Sequence, residues 1–222
     1  IYWKAIETED PDKRLKLAEE AMQHYDKAQH LFSIVSIISP RGGLISPPGG
    51  LTEHYRYLAE WETDPEKKLD FLRKSEKTGI EALKVAESSE VPSAIAFMLH
   101  ILSKTFTVRA RLEPDFDEKK SLLEEALGYI ERSIGMYVKW KPFAYWNMAA
   151  MYNELADIRA EMGYLESDLK TKRMLLEEAA SNKEKCLALM AKRIPYFEKR
   201  GMIVPFASLY GYQDTYWILL KH

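Results

Sequence analysis

Five histidines, one cysteine and several carboxylate pairs are the side chains of this 222-residue sequence best suited to chemistry. A zinc-protease site needs two histidines one helical turn apart with a glutamate between them. His24, His30, His54, His100 and His222 offer no such pair. Glu20 and His24 stand one turn apart and read as a solvated helix pair. Glu124–Glu125 and Glu177–Glu178 resemble acid–base pairs on paper, but adjacent helical residues diverge by about 100° and do not converge on one substrate. They read as a solvated face that pairs with nearby Lys and Arg at i,i+4. Cys186 sits among Leu187, Leu189 and Met190 with no histidine near in sequence, which describes a buried, inert thiol. The stretch from Arg41-Gly42-Gly43 to Pro47-Pro48-Gly49-Gly50 lacks the Gly-Lys-Ser/Thr ending of a phosphate loop. It reads as a flexible connector, long enough to touch a partner. No catalytic residue, metal ligand or cofactor is assigned, and the chain is read as a non-enzyme.

Charge and hydropathy narrow the partners. The 32 positive and 34 negative side chains nearly cancel, and a nucleic-acid binder would show a basic excess. The longest apolar stretches, Leu31–Ser39 and Val91–Leu102, are too short to span a bilayer. One cysteine excludes an intramolecular disulfide and fits a reducing, cytoplasmic compartment. The expected partner is therefore a protein or peptide, with no nucleic acid and no membrane. The chain opens on Ile1-Tyr2-Trp3-Lys4 without an initiator Met, and this is read as a fragment of a longer protein.

The elements that would position any site follow from an internal repeat. Asp10-Pro11-Asp12-Lys13-Arg14-Leu15 returns as Asp64-Pro65-Glu66-Lys67-Lys68-Leu69, again from Asp115 to Lys120, and a fourth time from Asp168 to Arg173. Lys13, Lys67, Lys119 and Lys172 lie 54, 52 and 53 residues apart. Between these signals Pro48, Pro92, Pro142 and Pro205 each precede an apolar segment, as proline does in the first turn of a helix. Each unit thus reads as two helices, the second capped by its aspartate. First helices are expected near 1–8, 51–63, 92–112, 142–163 and 206–222, and second helices near 11–38, 65–88, 116–139 and 167–193. Leu123, Leu127, Ile130, Ile134, Tyr137 and Val138 form one helical stripe, and Tyr145, Met148, Ala149, Tyr152 and Ala156 another. Gly and Pro number ten each and cluster at a few places, unlike a sandwich or barrel with its many turns. The expectation is a single all-α domain over 1–222, with units near 1–38, 51–88, 92–139 and 142–193 and a partial one at 205–222. Short links make neighbouring helices antiparallel and let each unit bury the next.

Tyr145, Met148, Ala149 and Tyr152 resemble the first-helix pattern of tetratricopeptide repeats, with Ala179 as the small residue where the second helix crosses the first. The unit of about 53 residues departs from the usual 34. The resemblance implies a right-handed α-solenoid of about four long repeats, with a concave groove lined by the first helices. A shorter stretch, Tyr55-Arg56-Tyr57-Leu58-Ala59-Glu60, is similar to a segment of 14-3-3 proteins. That likeness implies a phosphopeptide contact at Arg56 and Tyr57, since an Arg fork takes two phosphate oxygens. The family's other basic ligands have no counterpart here, and His100 stands where the family has an Asn.

The expected function is a protein–protein interaction scaffold within a multidomain signalling or regulatory protein. Trp146, Asn147 and Asn153 are expected to face the groove, where Asn side chains hold a peptide backbone through paired donor and acceptor atoms. The alternatives are a phosphopeptide reader at Arg56 and Tyr57, or a ligand-sensing regulatory domain. The apolar segment Tyr210, Tyr212, Tyr216, Trp217, Ile218, Leu219 and Leu220 is expected to meet further repeats or a second copy of the chain, because a terminal cap carries a polar outer face.

Overall fold

The computed structural model describes residues 46–88, 90, 92–140 and 145–192, with positions 10, 12, 13, 16, 17, 19, 20, 23, 24 and 27. The helices expected at 1–8 and 206–222, most of that at 11–38, and the Pro142 and Pro205 signals lie outside them. Within the described residues every element is an α-helix. They are α1 (Ser46–Trp61), α2 (Pro65–Ser88), α3 (Pro92–Leu112), α4 (Phe116–Trp140), α5 (Tyr145–Leu165) and α6 (Leu169–Ala191). The chain divides into two compact units, Ile1–Leu112 and Glu113–His222.

One boundary differs from the sequence reading. Helix α1 begins at Ser46, so Pro47 to Gly50 are helical and not part of the connector. Two prolines fit there because the first turn has no intrahelical use for their missing N–H groups.

Aspartates start the second helices as expected. The Asp64 carboxylate accepts the Glu66 and Lys67 N–H groups, Asp115 that of Glu118, and Asp168 that of Thr171. Asp10 likewise accepts the N–H groups of Asp12 and Lys13. These caps are 54, 51 and 53 residues apart, one residue off the lysine spacing in the middle unit. The capping register is the one that phases burial, because the cap fixes the first turn from which the helix is wound. Counted from their caps, Leu72, Ser75, Gly79, Ala82 and Ala86 of α2 correspond to Leu123, Ala126, Ile130, Ser133 and Tyr137 of α4, and all ten are buried. The matching positions of α6 are Leu176, Ala179, Lys183, Cys186 and Met190, all buried except the half-buried Leu176. Val138, expected on the buried stripe of α4, is exposed.

In the first unit α1 packs on α2, α2 on α3, and α1 also touches α3. Pairing is antiparallel: Leu58 packs with Phe71 near the turn, while Thr52 hydrogen-bonds Thr78 farther along. A ladder of hydroxyls crosses the unit. Ser75 Oγ donates to the Thr52 carbonyl at 2.8 Å and lies 2.9 Å from Thr105 Oγ1. Gly79 lets the three helices approach, since a Cβ there would fall 2.6 Å from Leu102 Cδ2 and 2.9 Å from Thr52 Cγ2. The ion pair Arg109–Glu76 at 2.7 Å ties α3 to α2.

In the second unit α4 packs on α5 and α5 on α6. Both pairs run antiparallel. Arg159 joins Glu131 of α4 and Glu178 of α6. Farther along the bundle Ser133 meets Met151, and Ala149 packs with Cys186 and Met190. Ala179 of α6 is fully buried.

Candidate functional site

Two polar constellations, one in each unit, hold Arg56, Tyr57 and Asn153 of the residues singled out from the sequence. The first lies where α1 meets α3. Arg56 is only 4% exposed and its guanidinium is already partnered. Nη1 lies 2.5 Å from Glu60 and Nη2 3.9 Å from Glu53, both one turn away on α1. The guanidinium carbon stands 4.0 Å over the Tyr57 ring, which stacks on Trp61 at 5.6 Å. Burial alone would lower the Arg56 pKa, but Glu60, Tyr57 and Glu53 outweigh it and hold the group above its ordinary value. Arg56 is therefore a permanent cation held by two half-exposed carboxylates.

His100 of α3 borders this cation. Burial is the main force that drives its pKa well below the ordinary 6.5, and the charges of Lys104 and Arg56 add to it. The imidazole is neutral at pH 7. Arg56 Nε and His100 Nε2 are both shielded from solvent and have no hydrogen-bond partner among the described residues. Sequence reasoning paired Arg56 with Tyr57. The structure adds His100, which it had marked only as a departure from a family pattern, and the two glutamates, whose i−3 and i+4 spacing was legible.

The second constellation lies between α5 and α6. Lys183 is 1% exposed. Its Nζ donates to Asp157 Oδ1 at 2.7 Å and to the Asn153 side-chain oxygen. An ammonium so deep needs both acceptors, because desolvating a lone charge costs several kcal/mol. Asn153 thus spends its acceptor on Lys183, and its amide reaches Asp157 Oδ2 at 3.4 Å. Asn147, exposed at the start of α5, donates to Tyr137 Oη at 2.8 Å. Trp146 lies in the first turn of α5, and its side chain is outside the described residues. Asn147 and Asn153 thus have separate partners, Tyr137 on one side and Asp157 with Lys183 on the other. Lys183 was missed from the sequence, although a lysine on the apolar stripe of α6 was its signal.

Cys186, one turn beyond Lys183, is buried, and burial pushes its thiol up to about 11 despite the nearby ammonium. That agrees with an inert core thiol. Glu20 and His24 are both exposed, as are Glu124 and Glu125. Glu177 pairs with Arg173 at i−4. Among the described residues no group of three or more His, Cys, Asp or Glu side chains could hold a metal ion, and no helix is long and apolar enough to cross a membrane.

No family model matches the chain, and no curated protein or solved structure matches it either.

Proposed function

We propose that this chain is a protein-interaction module, a tetratricopeptide-like solenoid of long hairpins that binds a peptide or partner domain on the face of its first helices. The supporting observation is that α1 and α3 touch each other while both pack on α2. Two first helices are adjacent and a second helix backs them, which is how stacked hairpins generate a continuous first-helix face. Glu53, Arg56, Tyr57, Glu60, His100 and Lys104 gather where these helices meet. A mixed-charge strip of this kind suits a polypeptide that carries both signs.

The test is affinity capture with the purified chain as bait in lysate of its native host, run beside Arg56→Ala and the pair Trp146→Ala/Asn147→Ala. One stoichiometric partner, weakened by a first-helix variant, is the expected result. Equal capture by every variant would move the partner off this face. Capture of no protein would end the interaction reading.

A phosphopeptide is the second reading, favoured by the two neighbouring nitrogens without partners, Arg56 Nε and His100 Nε2. A phosphate would have to displace Glu60 from Arg56. Loss of capture both on phosphatase treatment and in Arg56→Ala would promote it over the first.

A further inference from the structure

The capping register sets equivalent places in the two units side by side. In the first unit Leu58, near the end of α1, is covered by Leu17, Tyr55, Trp61 and Phe71, and Tyr55 stacks on Phe71 at 6.5 Å. Three rings close this junction between the end of a first helix and the start of the second helix that follows it. Counted from the capping aspartates, Leu58 becomes Met162, Tyr55 becomes Arg159, Trp61 becomes Leu165 and Phe71 becomes Leu175. None of the three ring positions carries a ring in the second unit. Arg159 does not replace one, because its guanidinium is drawn to Glu131 and Glu178.

A cleft of about 150 Å³ occupies the junction that the rings fill elsewhere. Phe116 and Lys120 of α4, Met162 and Leu165 of α5 and Leu175 of α6 line it. An apolar cavity of roughly this volume holds one benzene-sized ring. Phe116 stands at its edge 52% exposed. Tyr164, Leu169 and Met174, each within two residues of a lining position, are exposed as well, Leu169 to 80%. The exposed Phe116 ring, which lines the cleft, is apolar surface that a partner can cover,. Two charged groups line the cleft. Glu166 Oε1 accepts the N–H groups of Ser167 and Asp168, and the exposed Lys120 ammonium is the cation there that a partner carboxylate can meet,.

We infer that this cleft takes an aromatic side chain of a partner polypeptide, with a carboxylate of the same partner beside it at Lys120. The partner ring restores what Trp61 and Phe71 supply in the first unit. The inference rests on the interaction reading in naming a polypeptide, but it concerns a different place from the first-helix face.

The full chain, carbon-13 labelled at Met and Leu methyls, is titrated by NMR with N-acetyl-tryptophan amide, N-acetyl-tryptophan and N-acetyl-leucine amide. Saturable shifts are expected at Met162, Leu165 and Leu175, several-fold tighter for the indole probes than for leucine. The free acid should bind tighter than its amide, and Lys120→Ala should erase that difference. Leu165→Trp, which writes the first unit's residue into the second, should abolish probe binding and keep or raise Tm. If that variant does not fold, Leu175→Phe serves the same end, and the order of probe affinities on the unaltered chain decides alone if neither folds. Unsaturable shifts spread over the surface, equal binding of the leucine probe, or undiminished binding in a plugged variant would overturn the inference. Loss of the cleft with partner capture intact would leave the interaction reading standing. Saturable indole binding with no captured protein would refute the polypeptide occupant.

Discussion

Lys183 supplies the sharpest test of the packing argument. Its ammonium is almost wholly buried, while Asp157, its partner at 2.7 Å, keeps 19% of its side chain exposed. Removing one partner of a buried pair costs about 3–5 kcal/mol, because it strands an uncompensated charge. Asp157→Leu strands the deeper group, leaving the ammonium with only the Asn153 oxygen, and should cost that full amount. Lys183→Met strands the group that still reaches water, and should cost less, about 1–3 kcal/mol. The double variant removes both charges and should fall within about 1 kcal/mol of the parent, since well-packed apolar replacements of a buried pair are often neutral. The resulting coupling is about 3 kcal/mol or more, at the upper end of the range for contacting residues. Urea unfolding of the four proteins, followed by far-UV circular dichroism, reads it out as shifts in midpoint at constant slope. Additive single variants, or a loss below about 1 kcal/mol in Asp157→Leu, would refute the claim that this pair is a buried, mutually dependent charge couple.

Glycine positions give opposite expectations from one substitution. Gly128→Ala and Gly135→Ala on α4 meet nothing within 4 Å and should each stabilise by about 0.5–1 kcal/mol. Gly79→Ala should destabilise by about 1–3 kcal/mol through overpacking against Leu102 and Thr52, and thermal unfolding of the three variants checks the sign. His100 predicts a pH dependence. Its folded pKa lies well below 6.5, so below about pH 6.5 the unfolded chain binds the extra proton. Its contribution is complete above that pH and is lost on acidification, with a slope approaching about 1.4 kcal/mol per pH unit. His100→Gln should flatten the stability curve between pH 7 and 5. An unchanged curve would show that the imidazole is not the group that titrates.

Much of the local architecture was legible because it depends on local physics. An aspartate can cap only the turn that follows it, and a proline can start a helix but not continue one, so Asp64, Asp115, Asp168 and Pro92 marked helix starts within a residue or two. The stripe through Leu123, Ile130 and Tyr137 identified an inward face for the same reason: 3.6 residues per turn is a property of the backbone. Ser46 to Gly50 were misread because their side chains punctuate loops on average, whereas a helical first turn tolerates them.

The sequence alone determined the described helices, the aspartate caps of the second helices and, Val138 apart, the inward stripes of α4 and α5. It also placed Arg56, Tyr57 and Asn153 on helices. Only the tertiary structure decided what those side chains do. Arg56 is enclosed by its own glutamates, and Asn153 turns its acceptor to Lys183. Gly79, Ile130 and Lys183 occupy one repeat position with three different solutions: close helix approach, an apolar filler and a buried charge pair. Periodicity fixes the direction in which a side chain leaves its helix. What it meets depends on the residue a neighbouring helix carries at the same level, and that pairing arises only when the helices pack.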